Sequence, residues 1–339
     1  MLRFALVGAG FIGTVHARSL TDHAGVELRT VADPDASRAE ALAAKAGAQA
    51  VSDIDSVFAD PQIDAVLIAS STHTHASLLH ACATAGRAVL CEKPIDLALP
   101  IATEAVAAVQ ASGIPAMVDF NRRFDPDHRA LRDAVRSGAV GTVELIQMTS
   151  RGPSLPPLDY LRVSGGQMRD QTVQFFDLLR WITGMDPVEV YVAGAALADP
   201  RVADVPDVDT SVATLRMSNG ALCQIDSARR IAYGYDERVE VNGSDRMVES
   251  GRRRTGTVSR YGLGTVVSDG IDVGWFERMS HTYRLALNEF VEAIDAGRAP
   301  EPSLADGLAA QRIAEAATQR IAEAATQSLR TGRAVPIEL

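Results

Sequence analysis

The stretch Leu2–Gly13, LRFALVGAGFIG, decides the fold of the first part of this chain. An apolar run leads into three glycines, Gly8, Gly10 and Gly13, which have the G-x-G-x-x-G spacing. This pattern predicts a buried strand, a tight turn and the start of a helix. Gly8 permits the turn, Gly10 lets the backbone approach a pyrophosphate, and Gly13 lets the helix pack against the strand. The positive end of that helix would hold the phosphates.

A carboxylate follows at the spacing expected of a dinucleotide-binding domain. Asp33 ends the apolar run Val26–Ala32, about 20 residues after the glycines. Its oxygens would accept hydrogen bonds from a ribose diol and would repel a 2′-phosphate, so we predict NAD rather than NADP. The alternative is that the glycines form only a tight strand–helix turn, and the position of Asp33 favours the dinucleotide.

Length, charge and cysteine content bound the class of protein. The 339 residues are enough for two domains, each with its own core. The net charge of −10 argues against nucleic acid or an anionic membrane as a partner. Three widely spaced cysteines, with no CxxC pair, favour a reducing cytoplasm. The first strand leaves no room for a signal peptide, and no apolar run approaches the ~20 residues of a membrane span.

Short apolar runs alternate with alanine-rich helical patterns over residues 1–120. The predicted strands are Leu2–Val7, Val26–Ala32, Ala65–Ala69, Ala88–Cys91 and Ala116–Phe120. The predicted helices between them are Ser37–Ala46, His75–Ala85 and Leu97–Ser112. This alternation predicts a doubly wound parallel sheet, and therefore an α/β Rossmann domain over residues 1–120.

Residues 121–339 follow a different pattern, which predicts an α+β domain with a mostly antiparallel sheet. The predicted strands are Val143–Ser150, Val188–Ala196, Val212–Met217, Ala221–Ala228 and Arg238–Val241. The predicted helices are Asp127–Ser137, Met168–Thr183, Glu277–Ala296 and the segment from Asp306 onward. Asn219-Gly220 predicts a hairpin turn. The octamer Gln311–Thr318 recurs letter for letter as Gln319–Thr326, which we interpret as a tandem insertion.

Four further motifs carry a family resemblance. They are Ser70-Ser71-Thr72-His73-Thr74-His75, Glu92-Lys93-Pro94, DFNRRFD from Asp119 to Asp125, and SGGQMRDQTVQFFDLLRW from Ser164 to Trp181. Together they resemble the glucose-fructose oxidoreductase / inositol dehydrogenase / rhizopine-catabolism family of NAD(P)-dependent oxidoreductases, closest to its inositol 2-dehydrogenase branch. The resemblance covers essentially the whole chain. It implies that residues 121–339 form a domain for substrate binding and oligomerisation, with a large open sheet that assembles a homotetramer.

The resemblance assigns three catalytic positions. In the family, the lysine of the EKP element contacts the reacting hydroxyl and the nicotinamide ribose, and here that residue is Lys93. An ammonium there lowers the pKa of the substrate hydroxyl and relays its proton. Family members often have a cis peptide bond before the proline, here Pro94. The family also has an aspartate followed four residues later by a histidine on one helix. Here those positions hold Asp170 and Gln174.

Glutamine at position 174 cannot accept a proton near neutral pH, so the usual general base is absent. Three interpretations remain open. Either Lys93 or Asp170 takes over proton transfer, or the protein has drifted to a different or slower reaction, or Gln174 is a substitution introduced to trap a complex. The alternative for Asp170 is a salt-bridged acid at the start of a helix, and for Lys93 a solvated lysine at a strand end.

The resemblance also implies binding residues. The expected cofactor contacts are Gly8, Gly10, Phe11, Ile12, Gly13, Asp33, Ser70, Thr72, His75, Glu92 and Lys93. The expected substrate contacts are Asn121, Arg122 and Tyr235. We add Arg151 to them because it starts the Pro-rich loop, from which it can reach the same cleft. Alternatives are interdomain ion pairs for the Asn-Arg-Arg segment and sheet packing for Tyr235. We predict that His73 and His75 cap a helix and line the cofactor site, and that His16 and His281 are structural. No metal site is predicted, because no third ligand lies at metal spacing.

These observations predict an NAD-dependent oxidoreductase that oxidises a ring hydroxyl of a cyclic polyol or sugar. One alternative is a dehydrogenase of an unusual sugar, such as an anhydrosugar or an L-sugar. Another, from a different class, is a non-catalytic protein that binds NAD or a sugar, for which Gln174 is the argument.

Overall fold

A computed structural model of the chain describes residues 1–205, 207–323 and 335–336, with side chains up to residue 319. The chain folds into two compact units. Unit 1 contains Met1–Phe124 and His281–Gln311, and unit 2 contains Asp125–Ser280 and the chain from Arg312. The first unit is therefore built from two separate stretches of sequence.

Unit 1 contains a six-stranded parallel sheet. Its strands are β1 (Leu2–Val7), β2 (Val26–Ala32), β3 (Gln49–Val51), β4 (Ala65–Ile68), β5 (Ala88–Cys91) and β6 (Ala116–Val118). Their order is β3-β2-β1-β4-β5-β6. All residues of β4 and β5 are buried, as expected where helices cover both faces of a sheet. The strand order reverses between β1 and β4, which is where open α/β sheets bind ligands.

Five helices connect these strands. They are α1 (Phe11–Thr21), α2 (Ala36–Ala46), α3 (Asp55–Ala59), α4 (His75–Ala85) and α5 (Leu99–Ser112). Helix α2 shows how capping residues in the sequence determine where a helix begins and ends. The side chain of Asp35 accepts the main-chain N–H groups of Ser37 and Arg38, and Gly47 ends the helix in the left-handed region. The predicted Rossmann architecture is confirmed, although the short strand β3 was not predicted.

Unit 2 is organised around a seven-stranded mixed sheet. The strands of this unit are β7 (Val143–Arg151), β8 (Pro187–Ala195), β9 (Thr210–Met217), β10 (Leu222–Ala228), β11 (Asp236–Gly243), β12 (Met247–Ser250), β13 (Ser259–Gly262), β14 (Thr265–Ser268) and β15 (Val335–Pro336). The order in the sheet is β12-β11-β7-β10-β9-β8-β15. Only β7 and β10 run parallel among the described pairs of this sheet. The predicted mostly antiparallel sheet is confirmed, and β13 and β14 form a separate hairpin.

The turn between β9 and β10 follows its sequence signal. Gly220 has φ +92°, and the side chain of Asn219 accepts the N–H of Ala221 at 2.9 Å. The predicted hairpin is therefore present, with the two strands paired antiparallel. Burial alternates along β9, so one face of the sheet packs in the core and the other is exposed.

The remaining helices are α6 (Pro126–Arg136), α7 (Leu158–Leu161), α8 (Val173–Thr183), α9 (Trp275–Asp295) and α10 (Leu304–Glu323). The helix predicted from Met168 begins with a π-helical turn, Met168–Thr172, before it continues as α8. The first copy of the octamer lies within α10, and the second copy extends beyond the described residues.

Helix α9 contributes to the core of unit 1 although it lies far along the sequence. Phe290 packs edge-on against Phe4 of β1, with ring centroids 6.0 Å apart, and both side chains are completely buried. Leu287 and Val291 belong to the same core cluster. In the part of the chain that the structure describes, no helix has the length and apolar character needed to span a bilayer.

Replacement of Phe290 by alanine should lower the free energy of unfolding by about 3–5 kcal/mol, because it leaves a cavity beneath β1. Urea denaturation followed by circular dichroism measures this loss. Leu263→Ala is the matched control: Leu263 is fully exposed, so that change should stay within about 0.5 kcal/mol. A loss for Phe290→Ala no larger than the control would contradict the assignment of α9 to the core of unit 1.

Candidate functional site

The turn between β1 and α1 leaves no room for side chains at two of its glycines. A Cβ on Gly8, whose φ is +108°, would lie 2.5 Å from the carbonyl oxygen of Ala69. A Cβ on Gly13 would lie 2.0 Å from the carbonyl oxygen of Gly8. Helix α1 therefore starts directly against the end of β1, which is the close packing that the fingerprint predicts.

The start of α1 fits a pyrophosphate. Gly10 is the N-cap, no side chain caps the first turn, and the space around a Cβ on Gly10 is open to 4 Å. Phe11 and Ile12 form the first turn, with Phe11 exposed. An uncapped helix N-terminus with an open approach can accept phosphate oxygens on its N–H groups.

Asp33, directly after β2, is held against this turn. Its Oδ2 accepts the N–H of Ala9 at 2.8 Å, and its Oδ1 accepts the N–H of Asp35 at 2.9 Å. The two bonds fix the carboxylate beside the glycine turn. This is the position from which a carboxylate can accept hydrogen bonds from an adenosine ribose.

Residues after β4 form a small polar network. The hydroxyls of Ser70 and Thr74 lie 2.6 Å apart, and Thr72 begins a single 3₁₀ turn before α4. The buried ring of His75 lies 2.8 Å from the carbonyl oxygen of Pro94 through Nδ1 and 3.1 Å from that of Ser70 through Nε2. The ring therefore ties the end of β4 to the turn after β5. No side chain caps α4 or the preceding 3₁₀ turn, so the predicted capping role of His73 and His75 is wrong.

Desolvation lowers the pKa of His75, although the two carbonyls would favour its charged form. A neutral imidazole donates through one nitrogen only. His75 is thus a buried support between two loops, and a direct contact with the cofactor stays a prediction.

The Glu92-Lys93-Pro94 turn follows β5, and the predicted cis peptide bond between Lys93 and Pro94 is present. Glu92 is buried, with Oε1 2.8 Å from Nε2 of His16 and Oε2 accepting the main-chain N–H of Lys93 at 3.1 Å. Burial would raise the pKa of Glu92, but the hydrogen bond from His16 and the nearby positive charges together outweigh burial, so the pKa is lowered. Glu92 is thus an internal support of the Lys93 turn.

The Asn-Arg-Arg segment after β6 is only partly available for a ligand. Asn121 is buried, and its Nδ2 donates to Oγ1 of Thr282 at 2.9 Å. Arg122 is half-buried. Arg123 forms a 3.2 Å ion pair with Asp306, which belongs to the same unit.

In unit 2, Asp170 lies in the π-helical turn and uses both carboxylate oxygens. Oδ2 accepts from Nη1 of Arg229 at 2.8 Å, and Oδ1 accepts from the hydroxyl of Tyr160 at 2.8 Å. Arg229 is buried and also pairs with Asp207, at 3.2 Å. The alternative interpretation of Asp170, as an ion-paired acid, therefore agrees with the geometry. Gln174 is buried one turn later.

The other two predicted substrate residues are also in unit 2. Arg151, at the end of β7, forms an ion pair with Asp226 and donates to the hydroxyl of Tyr233 at 3.0 Å. The hydrogen bond with Asp226 raises the pKa of Arg151. Tyr235 is buried just before β11.

The sheet topology brings the predicted site residues of unit 1 together, because β1, β2, β4, β5 and β6 end at the same edge of one parallel sheet.

Sequence reasoning missed Tyr160, Asp207 and Arg229 around Asp170, and Asp119 beside Glu92. Arg229 contacts Asp170 across 59 positions of sequence, and Asp119 contacts His16 of another element, so no local pattern indicates these contacts.

Comparison with known proteins gives a consistent result. Residues 2–120 match the model of the oxidoreductase family with an NAD-binding Rossmann fold, and residues 128–249 match the GFO/IDH/MocA C-terminal domain. The chain is 39% identical over 316 residues to an inositol 2-dehydrogenase of Rhizobium meliloti, covering 93% of this chain and 96% of that protein. It is 36% identical over 313 residues to a myo-inositol 2-dehydrogenase of Thermotoga maritima, covering 90% and 92%.

A solved structure agrees with these matches. The crystal structure of a probable dehydrogenase from Thermotoga maritima superposes with a TM-score of 0.94 at 35% identity, over 99% of both chains. The predicted resemblance, the fold class and NAD as the cofactor are confirmed. The chain belongs to the GFO/IDH/MocA family of oxidoreductases, with an NAD-binding Rossmann domain followed by the family's C-terminal domain.

Proposed function

We propose that this protein is an NAD-dependent dehydrogenase that oxidises a ring CH–OH of a cyclic polyol of the inositol type to a ketone. The observation that carries the proposal is the similarity to inositol 2-dehydrogenases over more than nine-tenths of this chain and of the Rhizobium relative. NAD, when bound, supplies the hydride acceptor. The residues of the chain must then hold the ring and remove the proton of the hydroxyl.

Lys93 is the residue that we propose to bind the reacting hydroxyl. It follows a strand end of the NAD-binding domain, and its main chain is fixed by the buried carboxylate of Glu92. An ammonium beside the hydroxyl favours the alkoxide and can relay its proton. This geometry supports Lys93 as the proton-handling group.

Asp170 is less suited to accept the proton. Both of its oxygens already accept hydrogen bonds, one of them from the buried guanidinium of Arg229. Protonation of Asp170 would break a charge-assisted contact and leave Arg229 with one carboxylate fewer. We therefore propose that Asp170 orients the substrate or its neighbours, that Gln174 contributes hydrogen bonds alone, and that Lys93 moves the proton.

We propose that the role of holding the ring hydroxyls belongs to Asn121, Arg122, Arg151 and Tyr235. Guanidinium groups suit it because each presents several donors in a fixed plane, which matches vicinal hydroxyls.

Two alternatives carry different tests. An anhydrosugar or L-sugar substrate would give NADH formation on such sugars and none on inositols. A non-catalytic binding protein, which the glutamine at position 174 suggests, would bind NAD and a polyol without NADH formation. Measurement of NADH on a panel of inositol isomers, aldoses and anhydrosugars separates the three.

Assembly and compartment are part of the proposal. We propose a homotetramer built through the exposed face of the seven-stranded sheet, which carries large apolar side chains: Leu145, Tyr191, Val212, Leu222 and Met247.

We also propose a cytoplasmic location. Its support is that Cys82, Cys91 and Cys223 are free and buried, as expected in a reducing compartment.

NAD should be preferred over NADP by at least about tenfold in kcat/KM, equal to about 1.4 kcal/mol, because a 2′-phosphate would meet the carboxylate of Asp33. Asp33→Ala should narrow that ratio. Asp35→Ala is the matched control, since its side chain caps α2 and does not contact the glycine turn. Equal kcat/KM for the two cofactors in the unmodified protein would overturn this prediction.

Lys93→Ala should lower turnover by at least ~10²-fold, while the thermal midpoint and NAD affinity stay near those of the unmodified protein. Initial rates with myo-inositol, thermal unfolding and NAD titration provide the three readouts. Lys45→Ala, an exposed lysine on α2, serves as the control and should leave all three unchanged. Unreduced turnover in Lys93→Ala would remove Lys93 from the mechanism.

Gln174→His should add a group that titrates near neutrality, one helical turn from Asp170. The carboxylate would raise the pKa of that histidine. We expect faster oxidation of a cyclic polyol together with a new ionisation near neutral pH in the kcat/KM profile. Without the substitution, the rate should rise toward alkaline pH with no such ionisation.

Gln174→Asn is the matched control, because it changes the side chain without adding a titrating group. If Gln174→His is slower on every substrate that the unmodified protein accepts, the glutamine is an adapted contact. The substrate would then lie outside the inositol class.

A further inference from the structure

A buried cluster of three titratable side chains lies behind the Lys93 turn. His16 of α1, Glu92 after β5 and Asp119 after β6 are all nine-tenths or more buried. Nε2 of His16 lies 2.8 Å from Oε1 of Glu92 and 3.6 Å from Oδ2 of Asp119. The ring of His16 packs edge-on against Tyr283, with ring centroids 5.3 Å apart.

The two carboxyl groups differ in their hydrogen bonds. Glu92 accepts from His16 through one oxygen and from the main chain of Lys93 through the other. Neither oxygen of Asp119 has a hydrogen-bond partner among the described residues. A buried carboxylate without donors is costly, whereas a neutral carboxylic acid at the same place is tolerated.

Charge repulsion between the two carboxylates also favours the neutral acid of Asp119. The ligand atoms of the three side chains lie within 4.8 Å of one another, so two ionised carboxylates would face each other at short range in a buried site. Repulsion between buried like charges at short range favours a state in which one of the two acids is neutral. Burial raises the pKa of Asp119, and the charge of Glu92 raises it further, while Lys93 and Arg122 oppose the shift only in part.

We propose that Glu92 and Asp119 hold one proton between them, carried by Asp119, and that the single negative charge on Glu92 positions the Lys93 turn. Both are positioning residues, since they act through the main chain of Lys93. The charged and titratable groups that face Asp119 are His16 from α1, Cys91 at the end of β5, Glu92 and Lys93 after β5, and Arg122 after β6. The positioning role rests on the proposed function of Lys93.

The same three side chains could in principle ligate a metal ion. The geometry favours the proton. The 2.8 Å contact between His16 and Glu92 is a hydrogen-bond distance. A metal-bound histidine normally donates its other N–H to a second group, and Nδ1 of His16 has no such partner among the described residues.

Infrared spectroscopy of the purified protein at pH 7 tests the shared proton without any substrate. The unmodified protein should show the carbonyl stretch of a buried protonated carboxylic acid, and Asp119→Asn should lack it. Asp96→Asn is the matched control: Asp96 is buried in the same unit, but its carboxylate accepts the N–H of Ala98 at 2.9 Å, so the band should persist. Persistence of the band in Asp119→Asn would overturn the proposal.

Glu92→Gln gives the sharper outcome. With Glu92 uncharged, Asp119 no longer faces a like charge, although burial still favours its acid form. The pH at which the protonated-acid band disappears should therefore be lower in Glu92→Gln than in the unmodified protein. An unchanged pH for the loss of the band would contradict a shared proton. Stoichiometric metal in the unmodified protein, lost in Asp119→Asn and measured by elemental analysis, would replace the proton with a metal ion.

A double-mutant cycle on turnover tests the positioning role. Glu92→Gln should lower kcat more than Asp119→Asn. At a pH at which Asp119 has lost its proton in Glu92→Gln, the double variant should fall at least about tenfold below the product of the single effects, since no negative charge then remains. Multiplicative effects would overturn the positioning role. If no polyol is oxidised while the infrared pattern holds, the proposed function fails and the shared proton stands.

Discussion

The lack of space for a side chain at Gly8 and Gly13 is the constraint on which unit 1 depends. Because Gly13 has no Cβ to collide with the carbonyl of Gly8, α1 can begin close to the end of β1. This start presents an uncapped helix end to a pyrophosphate and places Ala9 where Asp33 can bind its N–H. It also places His16 one turn along α1, within hydrogen-bond distance of Glu92. The cofactor site and the support of Lys93 therefore share one origin.

Carboxyl groups in this protein owe their charge states to different surroundings. Asp170 is ion-paired with a buried arginine that also contacts Asp207. Glu92 accepts two hydrogen bonds, and Asp119, close by, accepts none among the described residues. Pairs of acids whose environments separate them in this way are common where proteins handle protons.

The elements that could be predicted from the sequence are those that depend on neighbouring residues alone. Glycine spacing, apolar runs and the Asn219-Gly220 turn predicted the Rossmann sheet and the β9–β10 hairpin, since each depends on a few neighbouring residues. Strand β3 was not predicted because its three residues, none of them buried, are too few to show an alternation of apolar and polar side chains. The π-helical turn at Met168 was not predicted because it depends on its surroundings in the fold. The partners of Asp170 and Glu92 could not be predicted, because these contacts join residues that are far apart in sequence and meet only in the folded chain.

The divided sequence of unit 1 has a consequence for how the chain is made. A ribosome releases all the parallel strands of the NAD-binding unit before it reaches Phe290, which closes the core over β1. Until Asp125–Ser280 has been translated, the nascent sheet leaves Phe4 and its neighbours without that cover, and such surface is prone to aggregation. The NAD-binding unit thus completes its fold late in synthesis, and a fragment that stops at Phe124 would lack part of its own interior.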